Sequence, residues 1–291
     1  MRFDNQRLLL YSISNPVLDF SLDLLFSRGD VLTAVVKEER EKALCLVHLD
    51  NTTAHLSFLL TSNLQSKASL FLLDELCKSC GHKGIRHLLA DVTEQHDVNE
   101  LVRQVGFSSY GSQKIWKIRH ILQESASSDL IWHFARKDDF HAVHSLYNRL
   151  LPPIEKALQP WHSQRDNFHY LERCNSIVGV ARVRKHLDRI IVWPLFDSIQ
   201  IEETQAVLLS LIARWVNAHY SVYVAIRSHQ EQLGEVLERI GEQALPRQVL
   251  MVKHLVEFHP INLPVVNQSV NNKRRPEPST PFVHSETQDC P

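Results

Sequence analysis

Cys77-Lys78-Ser79-Cys80, with His82 two residues on, has a spacing that a zinc site or a redox pair would use. The motif stands alone, because no second pair follows at zinc spacing. Cys77 also falls on the apolar period of a predicted helix, so packing accounts for it. His141 and His144 lie at i, i+3 on another predicted helix. His141-Ala142-Val143-His144 brings no carboxylate in a metalloenzyme pattern and reads as surface. We therefore expect no metal. Trp132, Trp161, Trp193 and Trp215 are spread over different predicted elements. They read as core or cleft wall rather than a stacking platform for bases. Lys273-Arg274-Arg275 is too short a basic run to bind nucleic acid.

Charge and hydropathy support those exclusions. The 291 residues carry 32 basic and 33 acidic side chains, a formal net charge of -1, so no global field draws the protein to nucleic acid or an anionic membrane. No apolar run approaches the roughly 20 residues that span a bilayer. The stretch around Val207–Ile212 is the longest candidate, and it is bounded by Glu202, Glu203 and Arg214. Met1–Arg7 lacks the apolar core and cleavage site of a signal peptide. Five cysteines with no framework spacing fit reduced thiols. The expectation is a cytoplasmic protein. With 44% apolar residues, most of the chain should fold, and its length suits two domains.

The elements repeat in order. Arg7–Ser14 reads as a strand, and Asn15-Pro16 opens a short helix. Val31–Val36, Ala43–Leu49 and Ala54–Thr61 read as an antiparallel meander. From Ser66 the period becomes helical, with Leu70, Leu73, Leu76 and Cys77, and Gly81 ends that helix. Strand Ile85–Val92, helix Glu94–Val105 stopped by Gly106, and strand Ile115–Ile118 follow. The polar linker Gln123–Ser128 marks a boundary. Beyond it come strand Leu130–Ala135, helix Asp138–Leu150 ended by Leu151-Pro152-Pro153, and the strands Asn167–Glu172, Ser176–Arg184 and Arg189–Leu195. Helix Glu202–Tyr220, strand Ser221–Arg227, helix Gln230–Ile240 and strand Arg247–Phe258 complete the pattern. We expect domains at 1–122 and 129–259, a linker at 123–128 and a disordered tail at 260–291.

This order resembles the GNAT superfamily of N-acetyltransferases. The carrying residues are Leu72-Leu73-Asp74-Glu75-Leu76, then Gly81–Val92, then Val105-Gly106-Phe107. Ile177–Val183 is similar to the family's third strand, and Val249–Leu255 to the close of uncharacterised bacterial members. The resemblance spans about Arg7 to Phe258. It implies two tandem α/β (α+β) folds, each a mixed, mostly antiparallel sheet flanked by helices. It also implies transfer of an acyl group from acetyl-CoA to a small-molecule or peptide amine.

In that family the loop before the long helix wraps the acetyl-CoA pyrophosphate with backbone N–H groups and a helix N-terminus. Here the loop is Leu64-Gln65-Ser66-Lys67-Ala68-Ser69. Lys67 and Ser69 stand where the family has glycines, so Gln65, Ser66, Lys67, Ala68 and Ser69 are the candidate cofactor contacts. Ser66 reads equally as an ordinary N-cap. The second loop, Phe196–Glu203, has no glycine and three carboxylates, which places any acyl-CoA in the first half. Val102 and Leu237 occupy the position where many members carry a tyrosine acid, and neither can donate a proton. No catalytic residue is identified. Tyr170, Glu172, Arg182 and Arg184 alternate along adjoining strands, as an acceptor cleft or a solvated sheet face. The competing functions are an acyltransferase and a non-catalytic module that uses the fold to bind a ligand or protein.

Overall fold

A computed structural model describes residues 1–11, 31–37, 41–94, 96–119, 130–158, 166–197 and 201–255. All of them fall within one compact unit. The expected linker at 123–128, the helix after Asn15-Pro16, Trp161, Lys273–Arg275 and the tail from 260 lie outside the described residues.

Residues Asn5–Tyr11 form helix α1, not the expected strand. The run Leu8-Leu9-Leu10 carries no period of its own, so capping decides. The Asp4 carboxylate accepts from the Arg7 backbone N–H at 3.1 Å, which satisfies one of the free donors of the first turn. Strands β1 (Val31–Lys37), β2 (Lys42–Asp50) and β3 (Thr53–Thr61) then form the antiparallel meander. Helix α2 (Lys67–His82) starts at Ser66, whose hydroxyl accepts from the Ser69 N–H. Leu72, Leu73, Leu76, Cys77 and Cys80 fall on its inner face and are buried. Strand β4 (His87–Thr93), helix α3 (His96–Gln104) and strand β5 (Ser108–Ile118) follow. Gly106, at φ +92°, turns the chain out of α3 in a conformation that favours glycine.

Strand β6 (Ile131–Phe134), a 3-10 turn (Lys137–Asp139) and helix α4 (Phe140–Leu150) open the second run. Pro152-Pro153 stops α4 and also starts a further helix, α5 (Pro153–Leu158), since proline fits the first turn. Strands β7 (Asp166–Arg173), β8 (Ser176–His186) and β9 (Arg189–Phe196) form the second meander. Helix α6 (Ile201–Val216) leads to strand β10 (Ser221–Arg227). The single helix expected at Gln230–Ile240 is a 3-10 segment (Ser228–Leu233) followed by α7 (Gly234–Ile240), with a break at Gln230 (φ −131°, ψ 32°). Strand β11 (Gly241–His254) ends the described chain.

The eleven described strands make one sheet in the order β1-β2-β3-β4-β11-β5-β10-β9-β8-β7-β6. Leaving out β6, that order is a palindrome about the β11/β5 pair. Each closing strand has crossed over: β11 lies between β4 and β5, and β5 lies between β11 and β10. Gly241 is required at the crossing, because a Cβ there would meet the Lys117 carbonyl oxygen at 2.6 Å. Pro246 falls in a stretch where the β11/β5 register slips, as a residue without a ladder donor should. Leu72 and Leu73 of α2 and Leu101 and Val102 of α3 pack against β4 residues Ala90 and Val92. Val207 of α6 and Leu237 of α7 pack with Val192 of β9 and Val224 of β10. The opposite face takes Leu9 and Leu10 of α1 against Ile191, Trp193 and Ala225. Leu146 of α4 packs there against Leu195, and Leu158 of α5 against Leu89 and Val252.

Candidate functional site

Two pairs of neighbouring strands run parallel, and each pairs only briefly. β3 and β4 pair over Thr53–His55 against His87–Leu89. β9 and β10 pair over Arg189–Val192 against Ser221–Val224. Beyond those residues the strands part, and the backbone groups along each gap need other partners.

Residues at the start of the chain bridge the first gap. The Phe3 N–H donates to the Ser57 carbonyl at 3.0 Å, and the Leu59 N–H donates to the Met1 carbonyl at 3.0 Å. On the other side the Asp91 N–H donates to the Phe3 carbonyl at 2.8 Å. Phe3 is 1% exposed and packs among Leu56, Leu59 and Leu88. The loop after β3 holds the candidate cofactor contacts. Gln65 and Lys67 are exposed, while Ser66, Ala68 and Ser69 are buried. The Ser69 hydroxyl donates to the Asn63 carbonyl at 2.8 Å and lies 2.7 Å from the Thr61 hydroxyl and 3.0 Å from that of Ser66. Both serines are thus engaged in capping α2.

A side chain bridges the second gap. With its amide oriented by its neighbours, Gln230 donates to the Pro194 carbonyl at 2.7 Å and accepts from the Phe196 N–H at 3.1 Å. It stands on the β9 edge as a peptide group of another strand would. Beside it is a small cavity walled by Tyr147, Trp193 and Leu195 and carrying Glu155, Arg182, Arg227 and His229. Glu155 Oε1 is 3.5 Å from His229 Nδ1, and its Oε2 is 3.9 Å from Arg227 Nη1. Burial opposes the charge on Glu155. The His229 contact and the charges of Arg227 and Arg182 outweigh it, so the carboxyl sits below its ordinary value. Burial also works against the charge of Arg227, but Tyr110, Glu155 and Asp91 hold its guanidinium above the ordinary range.

A buried polar row runs from Arg227 across the exchanged strands. Arg227 is in register with Gln113, and Gln113 with Gln248. Gln113 Nε2 donates to Gln248 Oε1 at 2.5 Å and to Asp91 Oδ2 at 3.2 Å, and Gln6 Nε2 donates to Gln113 Oε1 at 3.2 Å. Burial, with Asp4 nearby, pushes the Asp91 carboxyl up to about 7 against the opposing effects of Arg227 and Gln113.

The four alternating polar residues separate. Arg182 reaches the cavity, with its guanidinium 4.2 Å from the centre of the Trp193 ring. Arg184 instead holds Asp166 with two hydrogen bonds of 2.6 and 3.1 Å. Tyr170 and Glu172 turn to β6, where His133 stacks on Tyr170 and lies 3.5 Å from Glu172. The acidic loop is partly neutralised, since Asp197 pairs with Arg149 and Glu203 with Arg173. Cys77 and Cys80 are buried under α2, and burial pushes the Cys80 thiol up to about 12. Val102 and Leu237 are fully buried core residues. Glu155, Arg227, His229 and Gln230 form no motif in the sequence. The available signal was the polar run Arg227–Gln230 at the carboxyl end of a buried parallel strand, where α/β folds commonly place ligands.

No protein-family model matches the chain, and no curated protein matches it in sequence. Among solved structures it is similar to a GCN5-related N-acetyltransferase from Kribbella flavida, with TM-score 0.51 and 8% identity over 75% of this chain and 88% of that one. A GCN5-related N-acetyltransferase from Sphaerobacter thermophilus matches with TM-score 0.51 and 11% identity, over 73% of this chain and 76% of that one. A conserved protein of unknown function from Staphylococcus epidermidis matches with TM-score 0.52 and 10% identity, over 81% and 98%. The chain has the fold of the GNAT N-acetyltransferases, with a mixed, mostly antiparallel sheet flanked by helices.

Proposed function

We propose that this chain transfers an acyl group from acyl-CoA to an amine, and that the transfer takes place in the cleft between β9 and β10. The observation that carries the reading is the pair of buried Glu155 and half-buried His229, 3.5 Å apart, in a small cavity where two parallel strands part. Acyl-CoA supplies a thioester carbonyl and a thiolate leaving group. The chain has to keep the amine neutral, polarise the carbonyl and return a proton to sulfur. His229, backed by Glu155, takes the proton from the ammonium, directly or through one water. The Phe196 N–H, released by Gln230, donates to the carbonyl oxygen as charge grows on it. The nitrogen–carbon bond forms as the carbon–sulfur bond breaks. Tyr147, on the cavity wall, carries a hydroxyl that can protonate the thiolate, and the second proton that the nitrogen loses as the amide forms returns through water to Tyr147. The fit of acyl-CoA rests on Gln230, because a side-chain amide now holds the β9 edge that an amide of the ligand's arm would take.

A second reading keeps acyl-CoA in the first cleft, with its pyrophosphate against Gln65, Ser66, Lys67, Ala68 and Ser69. The exposure of Gln65 and Lys67 at the start of α2 favours it. Calorimetry with acetyl-CoA, followed by turnover with a panel of amines, separates the two. We expect Glu155→Gln to lower kcat by about 10² to 10⁴ and Lys67→Glu to leave both binding and turnover unchanged. A loss of about 1 to 3 kcal/mol in acetyl-CoA binding by Lys67→Glu transfers the site to the first cleft. Absence of both heat and turnover in the unmodified chain leaves a binding module and ends the enzyme reading.

A further inference from the structure

One end of the β4/β11 ladder brings together two histidines that no sequence motif connects. His87 opens β4 and His254 closes β11, 167 residues apart in the chain, and the two stand directly opposite each other. The His87 N–H donates away from β11, to the Thr52 carbonyl at 3.3 Å, and the Leu255 N–H donates to the Arg86 carbonyl at 2.8 Å. The His87–His254 pair is therefore a non-hydrogen-bonded one, the kind that holds opposite side chains closest. The imidazoles meet accordingly: their Nδ1 atoms are 3.1 Å apart and their rings are nearly perpendicular, at 86°. The next pair inward on the same face, Leu89 and Val252, is buried and packs with Leu158 of α5. The two rings thus stand at the rim of an apolar floor, His87 half-buried and His254 exposed.

We infer that His87 and His254 form a two-histidine site for a late first-row transition ion, Cu²⁺ above Ni²⁺ or Zn²⁺. The inference is independent of the transfer reading. Neutral imidazole suits these ions, whereas Mg²⁺ and Ca²⁺ take oxygen ligands. The spacing fits as well. Two nitrogens at about 2.0 Å from one ion lie about 2.8 Å apart at a right angle and about 3.3 Å apart at a tetrahedral angle. The 3.1 Å between the Nδ1 atoms falls between these limits. At that distance one Nδ1 carries a hydrogen that the other accepts. Moving that hydrogen to Nε2 leaves both lone pairs available to one ion, with no net loss of a proton. Among the described residues no set of three or more His, Cys, Asp and Glu side chains gathers around an ion site, so water or a small ligand from solution fills the remaining positions. Arg86 acts on His87 as a like charge, which keeps the affinity below that of a closed four-ligand site.

The full chain, prepared without a polyhistidine tag, is titrated calorimetrically with Cu²⁺ at neutral pH, and with Ni²⁺, Zn²⁺ and Mg²⁺ in parallel. Cu²⁺ should bind most tightly and Mg²⁺ not at all. His87→Asn and His254→Asn should each lower the affinity of the tightest Cu²⁺ site at least about tenfold, since losing a direct ligand costs no less than losing a group that supports one. Electron paramagnetic resonance at one equivalent of Cu²⁺ should show coupling to two nitrogens in the unmodified chain. Below one equivalent, Cu²⁺ should broaden the backbone amide signals of residues 86–88 and 253–255 before all others, a readout that needs no variant. Absence of Cu²⁺ binding overturns the inference. Unchanged Cu²⁺ affinity in both variants, or first broadening at other histidines, overturns it by placing the tightest site elsewhere. Weakening in only one of the two variants also overturns it, because the site is the pair. If the variants do not fold, the order of broadening in the unmodified chain decides.

Discussion

The β3/β4 and β9/β10 clefts begin from the same geometry and are closed by different means. In the first, main chain does the closing: Met1 and Phe3 bond to β3, Phe3 also bonds to β4, and the Phe3 ring fills the space below. In the second, one carboxamide satisfies the β9 edge, and beside it is a small cavity lined with charge. A main-chain plug with an aromatic anchor is costly to remove, because its hydrogen bonds and buried area are lost together. A side-chain amide leaves by rotating about a few single bonds. Equal strand partings therefore do not make equal sites. On the proposed reading, the one that a side chain guards is the one the ligand enters.

The largest expected effect tests the plug. Phe3→Ala removes a fully buried ring from the core beneath β3 and β4 and should destabilise the protein by about 3 to 5 kcal/mol. Urea unfolding measures it. A cost below about 1 kcal/mol would mean that the first cleft is loosely filled and that the contrast with the second is wrong.

The next effect lies between the clefts, at Asp91. Its folded carboxyl titrates near about 7, against 3.8 for an ordinary aspartate. Between those values the folded chain holds a proton that the unfolded chain has released. Stability therefore falls as pH rises from about 4 to about 7 and is level above that. Asp91→Asn should abolish this slope and stabilise the protein at pH 8, by about 2 kcal/mol once partial exposure is allowed for. Denaturant curves at pH 5 and pH 8 give the sign. A variant that is less stable at both would show that the carboxylate is held charged by Arg227 and Gln113.

Much of the fold was legible because its signals are local. Short runs rich in Val, Leu and Thr between polar turns mark the first meander, the repeated order of elements marks the second, and Ser66 with the Leu70–Cys77 period marks α2. Helix α1 is hidden in the sequence because three leucines in a row carry no period and its cap at Asp4 precedes them. Helix α5 is hidden because Pro152-Pro153, which starts it, also ends the helix before it. The crossing of β5 and β11 leaves no local mark. It shows afterwards in the polar residues Ser108–Gln113, which read as loop but lie in a strand between β11 and β10. The candidate site is of the same kind: Glu155 and His229 are far apart in sequence and meet only through the fold. The loop Gln65–Ser69, by contrast, was conspicuous through resemblance, and there the buried serines cap their own helix.

The smallest effect bears most directly on the comparison. Gln230→Ala removes the amide from the Pro194 carbonyl and the Phe196 N–H. Both groups border a cavity, so water can reach them, and the stability cost should be about 1 kcal/mol, well below that of Phe3→Ala. Binding should move the other way. Acyl-CoA that pairs with the β9 edge must displace Gln230 in the unmodified chain, and in the variant it displaces only water. Its affinity should rise by about two- to tenfold, the range left when one hydrogen-bonded competitor is replaced by solvent. Calorimetry on Gln230→Ala, beside Gln230→Glu, measures this. The carboxylate of Gln230→Glu can accept from Phe196 but cannot donate to Pro194, so its affinity should fall between those of the unmodified chain and Gln230→Ala. Unchanged affinity in both variants would mean that Gln230 guards nothing and that the two clefts differ only in how they are filled.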